Sequence, residues 1–174
     1  QRGFLKGRSM LHNTIDIDWE SMVISLKHDG GALVLFDFKA AFPSISHPFL
    51  IACLKYLGLP SSAMHFIEAM YDGNKCYMRV HGRDFLVFDL KGVVRQGCPL
   101  SPLLFAVCVD ILLRMIDMQL KGPMVRAFAD DIAAVIHDWE GQCGVLKTIF
   151  EEFERISNLG LNVNKTVVIP LWLN

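Results

Sequence analysis

This sequence has no long uninterrupted apolar run, no close cysteine pair, no basic surplus and no internal repeat or low-complexity stretch, and each absence removes a class of protein. No apolar segment reaches the roughly 18 residues a membrane span needs. The nearest candidate, 102–118, is interrupted by Asp110, Arg114 and Asp117, which at i, i+4 and i+7 form one polar stripe on a mostly buried helix. The N-terminus lacks the charged-then-apolar layout of a signal peptide, so a reducing, intracellular compartment is expected. The 5 cysteines are widely spaced, contain no Cys-x-x-Cys pair for zinc or redox work, and read as core thiols. A formal net charge of −1 denies the chain the overall Lys and Arg excess usual in a nucleic-acid binder. Locally the balance differs: Lys75, Arg79, Arg83, Lys91 and Arg95 face only Asp84 and Asp89 within one stretch. That stretch is the best basic patch, although a solvated hairpin has the same composition.

At 174 residues and 52% hydrophobic, the chain can bury one substantial core, so one compact domain or two tightly joined lobes is expected. Gln1 in place of an initiating Met, and an end at Trp172-Leu173-Asn174 without a polar tail, read as a piece of something longer. Between Asn13 and His28 the apolar residues Ile15, Trp19, Met22, Val23 and Leu26 recur at helical spacing, with Gly30-Gly31 as the stop. Residues 32–36 are a continuous apolar run ending in Asp37, the pattern of a strand buried on both faces with a carboxylate at its C-terminal end. After a turn through Phe42-Pro43, Pro48 suits the first turn of a helix to about Leu57, and Ser61 or Ser62 can cap the next helix through Tyr71.

Residues 75–80 and 85–90 flank His81-Gly82-Arg83-Asp84 as a hairpin with a four-residue connection. Ser101-Pro102 opens the long apolar helix. Residues 124–129 and 132–136 are separated only by Asp130-Asp131, which predicts a tight hairpin with two carboxylates at its tip. A helical stripe from Gly144 to Asn158, ended by Gly160, and a last strand over 166–169 complete an α+β fold with a largely antiparallel sheet.

A two-residue hairpin turn prefers Asn-Gly or Asp-Gly, so the Asp130-Asp131 pair is odd on structural grounds. If it lies near Asp37, three carboxylates converge, and each raises its neighbour's pKa unless a cation intervenes. Hard oxygen ligands suit Mg²⁺, and two such ions about 3.5–4 Å apart can serve both the attacking and the leaving oxygen of an in-line displacement. The bland alternative is a solvated Asp-Asp turn and a helix-capping Asp37.

The surrounding residues favour the first reading. Leu35-Phe36-Asp37-Phe38-Lys39-Ala40-Ala41-Phe42, then Arg95-Gln96-Gly97-Cys98-Pro99-Leu100-Ser101-Pro102-Leu103-Leu104-Phe105, then Phe128-Ala129-Asp130-Asp131 occur in order. The chain resembles the reverse transcriptase family, and most closely its non-LTR, LINE-like retroelement members. Gly3-Phe4-Leu5-Lys6-Gly7-Arg8-Ser9 and Gly160-Leu161-Asn162-Val163-Asn164-Lys165-Thr166 match an earlier and a later family block, so the likeness spans residues 1–169.

The resemblance implies a polymerase palm with part of the fingers and no thumb: residues 1–31 and 75–95 fingers-like, 32–74 and 96–174 palm-like. It implies an RNA-directed DNA polymerase that uses two Mg²⁺ ions, with Mn²⁺ as a substitute, and takes an RNA template, a DNA primer and deoxynucleoside triphosphates. By the same carry-over Asp37, Asp130 and Asp131 hold metal, and Lys165 assists the leaving pyrophosphate. Phe42 matches an aromatic gate against a 2′-hydroxyl, and the amides of Phe38, Lys39, Ala40 and Ala41 could cradle the triphosphate. Gln96 and Gly97 line the nucleotide and template site, while Phe128 and Ala129 support the primer end. Pro43 departs from the acid many relatives carry there. The family's chromosomal targets suggest the nucleus, and no membrane association is implied. Oligomeric state is left open. Two other readings stand beside this one: a non-catalytic remnant that binds RNA or a protein, and a group II intron-type enzyme, from which Phe128 in place of Tyr leans away.

Overall fold

In the computed structural model, which describes residues 1–27, 30–90, 92, 94, 97–120 and 122–172, the apolar runs and helical stripes become twelve elements. The first half holds α1 (Met10–Lys27), β1 (Ala32–Phe36), the single turn α2 (Ala41–Ser44), α3 (His47–Tyr56), α4 (Ser61–Tyr71), β2 (Lys75–Val80) and β3 (Arg83–Asp89). The second half holds α5 (Ser101–Gln119), β4 (Met124–Phe128), β5 (Asp131–Ile136), α6 (Trp139–Ser157) and β6 (Val167–Pro170). Four strands form one antiparallel sheet in the order β4-β5-β1-β6, and β2-β3 is a separate ribbon.

The sheet's two faces are set by register. Val34 and Phe36 pair with Ala134 and Ile132, and their common face meets α6, where the Phe36 and Phe150 rings lie 4.7 Å apart. Leu33 and Leu35 pair with Val135 and Ala133 on the opposite face, which α1 covers over β4 and β5. Residues 132–136 of β5 are accordingly buried on both sides, and α3 and α5 complete the core beneath α6. Phe105 and Phe153 are wholly buried there. Among the described residues no helix is long and apolar enough to cross a membrane.

Several boundaries differ from the sequence expectation, each for a local reason. The ribbon turns through two residues, not four: His81 (φ 47°) and Gly82 (φ 78°) both take positive φ, the type I′ pattern that matches strand twist. Arg79 then faces Asp84 across the strands and donates at 2.6 and 2.8 Å, which ties the shorter turn. Helix α6 starts five residues before Gly144, because the Asp138 carboxylate accepts from the Gly141 amide at 3.0 Å and caps an end that two glycines disguise. Its stop is Asn158 in the left-handed region at φ 63°, ahead of Gly160. Pro60, without a side-chain cap, precedes α4, so Ser61 is already helical. On α1 the stripe of Leu11, Ile15, Trp19, Met22 and Leu26 faces outward and is exposed, while Ile24 packs inward.

Candidate active site

The carboxylates meet because two strand ends meet. The last β1–β5 pair is Phe36 with Ile132, and the same register continued by one residue sets Asp37 across from Asp131. Phe128 pairs with Asp131, so the turn of this hairpin is Ala129-Asp130, and Asp131 opens β5 rather than sitting at the tip. Burial, and then the charges of Asp130 and Asp37, hold the Asp131 carboxyl above the usual carboxylate range. The Oδ2 atom of Asp37 is buried without a hydrogen-bond partner. Lys165 Nζ stands 3.9 Å from it, within ion-pair but not hydrogen-bond reach.

Crowded carboxylates and an orphaned, buried carboxylate oxygen are the donor chemistry of a hard cation site. Among the described residues, no group of three or more His, Cys, Asp or Glu side chains is placed so as to hold a metal ion by itself. An open arrangement suits Mg²⁺, which keeps waters and takes substrate phosphates beside one or two carboxylates. The donor chemistry fits a divalent metal.

The hairpin that carries Asp130 and Asp131 has an unusual backbone. Ala129 takes φ 58° at the first central position, where a type II′ turn prefers glycine, and its side chain is buried. This turn is gripped from far away in sequence. The Gln1 side-chain amide donates to the Ala129 carbonyl at 2.9 Å, and its Oε1 accepts from the Ala129 amide at 3.0 Å and the Gly3 amide at 2.7 Å. The Arg2 amide and Asn13 Nδ2 both donate to the Ala127 carbonyl, at 2.8 and 3.1 Å. Asp16 on α1 pairs with Arg126 of β4 at 2.7 Å and with Arg2 at 2.8 Å. These guanidiniums, Arg126 first, hold the Asp16 carboxyl below its ordinary range, and α1 is thereby tied to the hairpin. Sequence spacing carries no sign of Gln1, Asn13 or Asp16; the one available hint is polar residues on the inner side of an amphipathic helix.

The remaining expected site residues divide between the two faces. Phe128 and Asp131 line an open cavity of about 330 Å³ on the α1 face, with Arg126, Leu35, Thr14 and Ile17. Lys39 instead borders a groove of about 450 Å³ on the α6 face, with Trp139, Phe150 and Val163. Its amide donates to the Gly160 carbonyl at 2.8 Å, so that N–H is already engaged in the strand-like pairing of Phe38 with Leu161. Ala40 is left-handed at φ 46° and leads into α2 at Ala41, whose turn is fixed by Ser44 Oγ donating to the Ala40 carbonyl at 2.7 Å. The half-buried Phe42 ring stacks on Phe105 with centroids 4.4 Å apart. Gly97 sits at φ 86°, a conformation that calls for glycine, whereas Gln96 and Arg95 lie outside the described residues. Lys165 is reached from β1 through the Asn162 amide, which donates to the Asp37 carbonyl at 2.7 Å.

The sequence profile of the reverse transcriptase (RNA-dependent DNA polymerase) family matches residues 1–170. The Pol polyprotein of the type-2 retrotransposable element R2DM from Drosophila melanogaster is 28% identical over 173 residues, covering 94% of this chain and 16% of that protein. The Pol polyprotein of the type-1 retrotransposable element R2 from Nasonia vitripennis is 30% identical over 152 residues, covering 81% of this chain and 14% of that protein. The chain thus spans about a sixth of the length of these relatives. Among solved structures, telomerase from Candida tropicalis, in complex with a fragment of telomeric RNA, superposes with a TM-score of 0.71 at 14% identity, over 91% of this chain and 29% of that one. That likeness concerns the fold, and it agrees with a palm and partial fingers. With sequence blocks, sheet and carboxylates in agreement, the chain belongs to the reverse transcriptase family, among its non-LTR retroelement members.

Proposed function

We propose that this chain is the catalytic core of an RNA-directed DNA polymerase of a retroelement, with Asp37, Asp130 and Asp131 as its metal-holding residues. The observation that carries the reading is the meeting of these carboxylates, with Asp131 raised by burial and then by the charges of Asp130 and Asp37, and Asp37 Oδ2 buried without a hydrogen-bond partner. The reaction is attack of a DNA primer's 3′-hydroxyl on the α-phosphate of a deoxynucleoside triphosphate paired to an RNA template, with pyrophosphate leaving. Two Mg²⁺ ions, or Mn²⁺ in their place, would supply charge stabilisation to the attacking and leaving oxygens.

The chain's own residues do the rest. Asp37, at the end of a strand buried against α6, is rigidly placed, and Asp131 opens the doubly buried β5. Phe42, braced by Phe105, is the candidate gate against ribonucleotides, and its stacked ring cannot swing aside without opening the core. Lys165 is exposed and close to Asp37, where its cation can meet the departing pyrophosphate. Phe128 borders the cavity on the α1 face and Ala129 follows it in the hairpin turn, together as a support for the primer end, and Gly97 allows close backbone approach to the nucleotide and template. Residues 1–31 and 75–95 would act as fingers and residues 32–74 and 96–174 as palm, and action on chromosomal DNA would put the protein in the nucleus.

Primer extension on poly(rA)-oligo(dT) with Mg²⁺ or Mn²⁺ tests the reading, with Asp130→Asn as the control. Incorporation by the wild type that Asp130→Asn abolishes supports it. A well-folded chain, also made longer at its C-terminus, that binds RNA yet never incorporates nucleotide replaces it with a non-catalytic binding module.

A further inference from the structure

We propose that Gln1, backed by Gly3, is a positioning residue that sets the conformation of the Ala129-Asp130 turn and so aims the two carboxylates of the hairpin. The inference rests on the polymerase reading for its catalytic consequence, but its structural content stands by itself.

The turn needs an external hold. Ala129 carries a Cβ at φ 58°, a region that L side chains seldom occupy. The next two residues are adjacent like charges, which push against any arrangement that brings them toward Asp37. A turn left to itself would relax towards a conformation with negative φ at Ala129, and Asp130 would move with it.

Gln1 supplies the hold in a form that few side chains can. Its amide offers a donor to the Ala129 carbonyl and an acceptor to the Ala129 amide, so it pairs with that residue as a neighbouring strand would. The orientation of the side-chain amide is dictated by its partners, since a backbone N–H can only donate and a carbonyl only accept. Oε1 also accepts from Gly3, which locks the side chain against its own segment. Gly3 has no alternative: a Cβ there would lie 2.2 Å from the Ala129 nitrogen and 3.0 Å from its Cα, both main-chain atoms. Arg8 Nη1 donates to the Gln1 carbonyl at 2.9 Å, and the Arg2 amide to Ala127, so the segment is fixed on both sides of the contact. Glutamate would lose the donor, asparagine the reach, and methionine both hydrogen-bonding functions at nearly equal volume.

The test compares wild type, Gln1→Met and Gly3→Ala in the 174-residue chain carrying one added residue before Gln1. Amide hydrogen exchange at Ala129 reports the turn, Mn²⁺ titration followed by electron paramagnetic resonance reports the carboxylates, and primer extension reports catalysis. For Gln1→Met we expect the Ala129 amide to exchange at least about tenfold faster, with weaker Mn²⁺ binding. The kcat should fall about 10- to 100-fold, as for a small misplacement of reacting groups, with little change in the nucleotide KM. Gly3→Ala should reproduce the pattern through steric displacement. Unchanged exchange and Mn²⁺ binding in a folded Gln1→Met chain overturns the proposal. So does a loss that merely tracks the unfolded fraction in thermal melts. If wild type and its C-terminally longer form both bind RNA and fail to extend primers, the polymerase reading falls, while the exchange and Mn²⁺ arms still decide the role of Gln1.

Discussion

Two glycines with equally short clearances predict opposite outcomes when each is changed to alanine. At Gly31 a Cβ would lie 2.3 Å from Ile24 Cγ2 and 3.3 Å from the Ile136 carbonyl oxygen. At Gly160 it would lie 2.3 Å from Glu154 Oε1 and 2.7 Å from that residue's Cδ. Neither position has positive φ, so the backbone accepts alanine in both cases. The obstacle decides. Ile24 is 2% exposed on a helix, where a β-branched side chain keeps one rotamer, so α1 itself must shift away from β1. Such overpacking costs about 1–3 kcal/mol. Glu154 is exposed and swings clear, leaving the gain of about 0.4–1 kcal/mol from a less flexible unfolded chain. The two variants should therefore differ by about 1.5–4 kcal/mol in urea unfolding. Gly31→Ala should melt about 2–12 °C below wild type, given about 2–4 °C per kcal/mol at this size. Adding Ile24→Ala removes the colliding methyl, and the double variant should cost less than the sum of the single ones. Equal destabilisation by Gly31→Ala and Gly160→Ala would refute the steric argument.

Three further outcomes follow from the packing and the charges. Asp16, depressed by Arg126 and Arg2, contributes stability above about pH 4, its unfolded value, and loses it as pH falls through its folded value. The advantage of wild type over Asp16→Asn in urea midpoint at pH 7 should therefore shrink steadily as pH is lowered below about 4, and a gap that stays constant on acidification counts against the pairing. Asp131 has the opposite sign: its raised carboxyl makes ionisation unfavourable to the fold, so stability is lost as pH rises through the folded value. Asp131→Asn should melt above wild type at pH 7 without divalent metal and lose that advantage below about pH 4, or when Mg²⁺ is added. Phe153→Ala, at a wholly buried ring set edge-on to Phe49 at 5.6 Å, should cost about 3–5 kcal/mol by chemical denaturation, and under about 1 kcal/mol would show the core is not closed there.

Legibility in the sequence followed the range of the interactions. A continuous apolar run ending in a carboxylate placed β1 and Asp37 correctly, and two short apolar runs around Asp130-Asp131 placed the hairpin, because both signals are local. Helical periodicity found α1 and grouped Ile15, Trp19, Met22, Val23 and Leu26, but a stripe does not say whether core or solvent meets it, and here all but the half-buried Val23 are exposed. Gly141 hid the start of α6, since a glycine lowers helix propensity whether or not its amide is capped by Asp138. The carboxylates proposed to hold metal were conspicuous in the sequence because adjacent like charges are. Their support was not, because Gln1 and Ala129 are separated by 128 positions and no periodicity connects them.

That division has a physical basis in where the site places its unfavourable terms. Asp37 Oδ2 is buried without a hydrogen-bond partner, Asp131 is held above its normal pKa, and Ala129 is left-handed without being glycine. Each opposes folding, and all three sit at one end of the sheet, where β1 ends and the β4–β5 hairpin turns. They persist because the elements around them leave no alternative: β5 is buried on both faces, Asp37 continues a strand paired on each side, and the turn is clasped by Gln1, Gly3 and Asn13. Locally disfavoured geometry that is over-determined by distant contacts is the arrangement expected of a preorganised site, where charge is held in place before substrate arrives. Residues that do chemistry stand out by breaking local rules, whereas residues that make the breach tolerable obey those rules and become visible only when the chain is folded.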